Sequence, residues 1–167
     1  MKIVKLLFIF STLLNLTGCN QYEVNNKKIN NRIIIKSINI DDEYEIKSKD
    51  IEIKNIAMFE ECGRPNMDNS NVVMGAHSGT GKYAIFNNIH KLKTNDEIII
   101  YYNNKKYVYV VSEVKEVKDT KIDILNNKNS PMLTLLTCKI SDNSKRIVVI
   151  SFLKDNWINW HMTKCQL

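Results

Sequence analysis

Short runs of β-branched and aromatic residues recur along the chain, separated by Asn, Asp, Gly and Pro, and this rhythm restricts the fold more than any other feature. Residues 32–40 (RIIIKSINI), 51–59 (IEIKNIAMF), 71–76, 97–102, 105–117, 132–138 and 146–153 each suit a pleated, half-buried surface. Residues 41–50 read as a charged turn region, 60–71 as a loop holding Gly63 and Pro65, 77–83 as a glycine-bearing loop, and 118–130 as a long polar loop ending before Pro131. Asn103-Asn104 fits a two-residue hairpin turn. Residues 84–92 carry a helical period, with Ile85, Ile89 and Leu92 on one stripe that can lie on a sheet. Many short strands with so little helix predict an all-β fold: a closed or nearly closed β-barrel of seven or eight strands with one or two short helices. With 167 residues and 44% hydrophobic content, one domain with a real core is expected, placed over residues 32–154.

The flanks differ in character. Residues 1–19 join Lys2 and Lys5 to an apolar stretch at 6–14, shorter than the ~18–20 residues that span a bilayer, so an export signal is expected. It ends in LTGC at 16–19, which is similar to the lipobox of bacterial lipoproteins, where cleavage precedes the cysteine and its sulfur is lipidated; the alternative is an uncleaved anchor containing Cys19. Residues 20–31, rich in Asn and Lys, read as a flexible tether, and 155–167 as a C-terminal tail. The domain is therefore expected on the extracellular face of the cell membrane, held by its N-terminus. A net charge of +6, to which Lys2 and Lys5 contribute, suits an anionic surface. No aromatic-plus-basic cluster recommends nucleic acid as a partner.

Chemistry gathers in residues 132–153, MLTLLTCKISDNSKRIVVISFL. Residues 139–145 carry Ser141, Asp142, Asn143 and Ser144, which stabilise turns by bonding their own backbone, so the flanking runs read as an antiparallel hairpin. If Cys138 and Arg146 pair across it, their side chains share one face of the sheet, placing a thiol beside a guanidinium. A cysteine reacts as the thiolate, which a permanent cation favours, and the same cation can hold a developing oxyanion. The plainer alternative is a small buried cysteine and a surface arginine.

A thiol nucleophile also needs a group to move protons, and imidazole serves near neutral pH. His77 follows an apolar run at a loop entrance, VVMGAHSGTGKY. His90 lies in the helical window, where a solvated or core-edge role is expected, and His161 in the tail. Gly79, Gly81 and Lys82 imitate a phosphate-binding loop, but Gly75 is one position too early and Tyr83 stands where Ser or Thr would bind magnesium.

The segment LTLLTC followed by Arg146 resembles the signature of the sortase family, in which a Thr-Leu-x-Thr-Cys strand carries the nucleophile and an arginine on the next strand assists it. The resemblance covers about residues 71–153 and implies the same barrel. It also implies His77 as the catalytic histidine after a short strand; Ala76 stands where sortases commonly have glycine, with Gly75 one position earlier. By the resemblance, the function expected is a cysteine transpeptidase that cleaves an LPXTG-like sorting signal through a thioester and passes the protein to an amine acceptor, in a peptidoglycan precursor or a pilin. His77, Cys138 and Arg146 would be its catalytic residues, and residues 118–130 part of its peptide groove. Two other expectations stand beside it: a cysteine hydrolase using the same residues, and a non-enzymatic exported lipoprotein that binds a wall component.

Cys62 and Cys165 are left over; free thiols are favoured over a disulfide between them. No close Cys/His spacing suggests a metal, and no cofactor is expected. Asp96, Glu97, Glu113 and Glu116 could gather around calcium, as loops in some sortases do, but solvated surface carboxylates are the simpler reading.

Overall fold

The computed structural model describes residues 31–65, 67–127 and 130–154. Within them the β-branched runs form eight strands: β1 (Arg32–Ile35), β2 (Ile40–Lys47), β3 (Ile56–Phe59), β4 (Asn71–Gly75), β5 (Glu97–Tyr102), β6 (Lys105–Lys118), β7 (Met132–Lys139) and β8 (Asp142–Leu153). They close into a barrel in the order β1-β2-β3-β4-β7-β8-β6-β5, with β1 paired to β5. The β2–β3 and β4–β7 pairs are parallel, and the other pairings are antiparallel. The expected closed all-β barrel is therefore present, with eight strands.

Period-2 alternation decides which side chains fill the interior. Ile33 and Ile35 of β1, Ile98 and Ile100 of β5, Leu133 and Leu135 of β7, and Ile147 and Val149 of β8 point into one buried cluster with Val72 and Met74. The intervening residues of β8 and β7, such as Arg146 and Cys138, then face outward. Asn103 and Asn104 both take left-handed φ values, 49° and 60°, as a tight turn between β5 and β6 requires, and asparagine tolerates them.

Several element boundaries differ from expectation. Residues 32–40 are not one strand: a 3-10 turn at Lys36–Ile38 and left-handed Asn39 reverse the chain, so β1 and β2 are a hairpin. The charged stretch after it is strand, because a barrel wall needs only its inward residues apolar. Ile40 and Tyr44 supply these, while Asp41 faces outward and grips the Arg32 guanidinium at 2.6 and 2.8 Å. The Tyr44 hydroxyl donates to the Tyr101 carbonyl at 2.9 Å. Residues 51–55 are not strand; burial begins only at Ile56. The helical window is a 3-10 segment, Ile85–Lys91, irregular at Phe86, with Phe86 and Ile89 fully buried against the barrel. The polar loop contains a further 3-10 turn, Ile122–Leu125. The leader, the tether up to residue 30, the C-terminal tail with His161, and Cys165 lie outside the described residues. Among the described residues no helix is long and apolar enough to cross a membrane.

Candidate active site

Three neighbouring strands carry the site. β7 lies between β4, which it joins in parallel, and β8, which it joins antiparallel. The β4–β7 ladder ends with Gly75 paired to Leu136, and His77 and Cys138 each lie two residues beyond that pair. Two side-chain bonds extend this match beyond the end of β4. Thr137 Oγ1, buried, donates to the Ala76 carbonyl at 2.7 Å, and Ser78 Oγ donates to the Cys138 carbonyl. On the other side, Cys138 pairs directly with Arg146. Cys138 and Arg146 thus stand directly opposite each other on adjacent strands, and His77 follows the end of β4, the strand on the other side of β7. The imidazole and the thiol are both exposed.

The β7–β8 turn is shorter than the 139–145 loop expected from composition. Lys139 pairs with Asp142, leaving two residues between the strands, and the register shifts after Cys138. Residues 143–145 are the surplus on β8, a bulge that ends regular pairing and re-aims side chains. Cys138–Arg146 is the last regular pair before it. Asp142 stabilises the turn by accepting from the Ser144 hydroxyl at 2.6 Å and the Ser144 N–H at 3.1 Å. These bonds hold its carboxyl below the usual carboxylate range.

Arg146 is pinned by that bulge. Its Nη1 donates to the carbonyls of Asn143 at 2.7 Å and Lys145 at 3.0 Å, and its Nη2 lies 4.0 Å from the Asp119 carboxylate. With five donors in a fixed fork, a guanidinium can keep these contacts and still present an edge to a ligand.

Two concavities adjoin Cys138 and Arg146. The larger, about 640 Å³, is a groove lined by Leu136 and Arg146, by residues of the polar loop between Lys118 and Asn126, and by Phe59, Glu61 and Cys62 among others. Residues of the 118–130 loop do therefore line the groove that holds Arg146. Asn71 anchors that loop: its side chain donates to the Ile124 carbonyl at 2.9 Å and accepts from Thr134 Oγ1 at 2.8 Å, while its N–H reaches Asn127 Oδ1 at 2.8 Å. The smaller concavity, about 280 Å³, is lined by Cys138, Ser78, Asn87, His90, Glu116 and Lys139 among others.

Sequence reasoning missed Ser78, Asn71 and the placement of His90. A serine after a histidine and an asparagine opening an apolar run carry no signal of their own, and only the β4–β7 pairing gives them meaning. Cys62, in the groove wall, is half-buried, and burial followed by the nearby Glu61 carboxylate pushes its thiol pKa up. The four acidic residues considered for calcium do not converge. Asp96 accepts from the Lys93 N–H, Glu97 pairs with Lys154, Glu113 with Lys115, and Glu116 with Lys139. Among the described residues no group of three or more His, Cys, Asp or Glu side chains could hold a metal ion.

Comparison with known proteins finds relatives of this chain among sortases. Sortase A of Bacillus anthracis is 36% identical over 84 residues, 50% of this chain and 40% of that protein. Sortase A of Listeria monocytogenes is 28% identical over 89 residues, covering 53% of this chain and again 40% of the relative. The chain thus matches about two fifths of the length of these curated relatives. Among solved structures, Clostridium perfringens sortase C with the C-terminal cell wall sorting motif superposes with a TM-score of 0.66 at 30% identity, over 74% of this chain and 69% of that one. A Clostridium perfringens sortase D5 transpeptidase gives 0.65 at 28% identity, over 74% and 77%. The family model described as Sortase domain matches residues 33–154, most of the chain, so the chain belongs to the sortase family.

Proposed function

We propose that this chain is a cysteine transpeptidase that joins surface proteins to an amine acceptor outside the cell. The observation that supports the reading is the direct pairing of an exposed Cys138 with Arg146, with Arg146 lining a groove and His77 following the end of the strand on the other side of β7. The Cys138 thiolate attacks the carbonyl of a sorting-signal peptide of the LPXTG type lying in the groove. Arg146 stabilises the oxyanion or orients the peptide backbone, and imidazolium His77 gives its proton to the departing amine as the thioester forms. An amine from a cell-wall precursor or a pilin then attacks the thioester, His77 now acting as base, and the thiolate is released. The sorting motif carried by the solved sortase C relative supports the peptide class.

The leader-like residues 1–19 support export and attachment at the outer membrane face, with Cys19 as the lipidation point of a lipobox-like LTGC. Turnover of a fluorogenic LPXTG-type peptide by wild type, Cys138→Ala and His77→Gln tests the chemistry. Both variants are expected to lose about three orders of magnitude or more in kcat/KM, as loss of a nucleophile or its proton carrier does elsewhere. Cleavage by Cys138→Ala at the wild-type rate would refute the assignment.

A further inference from the structure

The His77 ring is exposed but not loose. Its Nε2 lies 2.6 Å from the carbonyl oxygen of Ile53, in the 48–55 segment that joins β2 to β3. A carbonyl oxygen can only accept, so a hydrogen bond here requires a proton on Nε2. In neutral imidazole one nitrogen carries the proton and the other accepts, so Nδ1 is then the basic atom. The segment that presents the carbonyl is itself fastened. Glu61, just beyond β3, accepts from Ser48 Oγ at 2.6 Å and from the Lys49 N–H at 3.2 and 3.3 Å. The Lys47 ammonium adds a bond to the Glu52 carbonyl at 3.4 Å. Glu61 and Lys49 also line the groove that holds Arg146, so the fastening lies on the peptide's path.

We propose that the Ile53 carbonyl is a positioning group that fixes His77 as its Nε2–H tautomer, making Nδ1 the atom that moves protons, with Glu61 as the latch that holds the 48–55 segment in place. The inference rests on the reading of His77 as acid and base. The protons balance over the cycle. Imidazolium carries hydrogen on both nitrogens; as the carbon–sulfur bond forms and the peptide carbon–nitrogen bond breaks, the Nδ1 proton passes to the leaving amine. In the second half, Nδ1 takes a proton from the attacking amine as the new amide forms and the thiolate departs. The Nε2 proton never moves, so the Ile53 contact persists through both halves and only one nitrogen is ever offered to substrate.

The test uses the full chain labelled with 15N histidine, with His77 assigned as the ring lost from the spectrum of His77→Gln. Above a pH of about 8.5, where an ordinary imidazole is neutral, Nε2 is expected to show the protonated nitrogen shift and Nδ1 the bare one. The reverse pattern, or an even mixture, overturns the proposal whatever the activity. In Glu61→Ala, with the His90 signals unchanged as a sign of an intact fold, the tautomers are expected to mix and kcat to fall about tenfold. Ser48→Ala, whose side chain is not part of the groove wall, should move both in the same direction by less. An unchanged tautomer and full kcat in Glu61→Ala overturns the latch. Wild-type turnover by His77→Gln would instead sink the catalytic reading and leave the tautomer result standing.

Discussion

At the scale of single residues, the site separates what a side chain offers from what holds it. Arg146 spends part of its guanidinium on the carbonyls of Asn143 and Lys145, so its position is set by the bulge it sits beside. Lysine has no planar fork with which to keep such bonds while reaching a ligand. Arg146→Lys is therefore expected to behave more like Arg146→Ala than like wild type, each losing about a hundredfold or more in kcat, the magnitude of a missing oxyanion donor. Steady-state kinetics on both variants checks this, and near-normal kcat in the lysine variant would contradict it. Cys62 offers a pH test in the same groove. Its thiol pKa is raised by burial and by Glu61, so the neutral thiol persists to higher pH than in a free cysteine. Site-resolved alkylation by iodoacetamide should find Cys62 slow at neutral pH and faster only as pH climbs past the ordinary thiol range of about 8.5. The pairing of Cys138 with Arg146 was legible as a hairpin between two β-branched runs, but its cause was not: the two-residue turn alone would set Cys138 against Asn143, and the surplus at 143–145 brings Arg146 opposite instead. Ser78 and Asn71 were not legible, since their partners lie 60 and 63 residues away along the chain.

At the scale of elements, the parallel β4–β7 contact sets the strand that leads to His77 beside the strand that carries Cys138, and β4 has little room on its other side. A Cβ at Gly75 would lie 2.9 Å from Phe59 Cζ. Gly75→Ala must push that ring or the strand, at a cost of about 1–3 kcal/mol, the usual range for overpacking. Chemical denaturation is the check, and a variant as stable as wild type would show that the ring yields freely. The β7–β8 turn depends on an ionised Asp142. Its folded pKa is depressed, so its contribution is present above the unfolded value and is lost as pH falls through the folded one. Amide protection of Ser144 is expected to weaken in acid in wild type and to show no such step in Asp142→Ala. The strand at 40–47 was the least legible element. Charges at Asp41, Asp42 and Glu43 resemble a turn, whereas all three are exposed residues of a strand that is anchored in the barrel by buried Ile40 and Tyr44.

At the scale of the whole molecule, closure of the barrel ties the rim that carries Cys138 to the interior. The alternate residues of β7 that follow Leu133 and Leu135 inward are the ones that turn Leu136 and Cys138 outward, so packing and reactivity share one strand. Leu135→Ala should cost about 2–5 kcal/mol in unfolding free energy, as fully buried leucines do. Barrel closure was legible from the number and spacing of strands. Which strands became neighbours was not, because the parallel crossovers bring together segments far apart in sequence. In the proposed reaction one sulfur, Cys138, carries the substrate between two partners. Intact-protein and peptide-mapping mass spectrometry during a single turnover of a sorting-signal peptide reads this out. The expected result is an acyl adduct on Cys138 that an added amine acceptor discharges faster than water, yielding the amide. An adduct on another cysteine, or only hydrolysed product in the presence of excess amine, would contradict it.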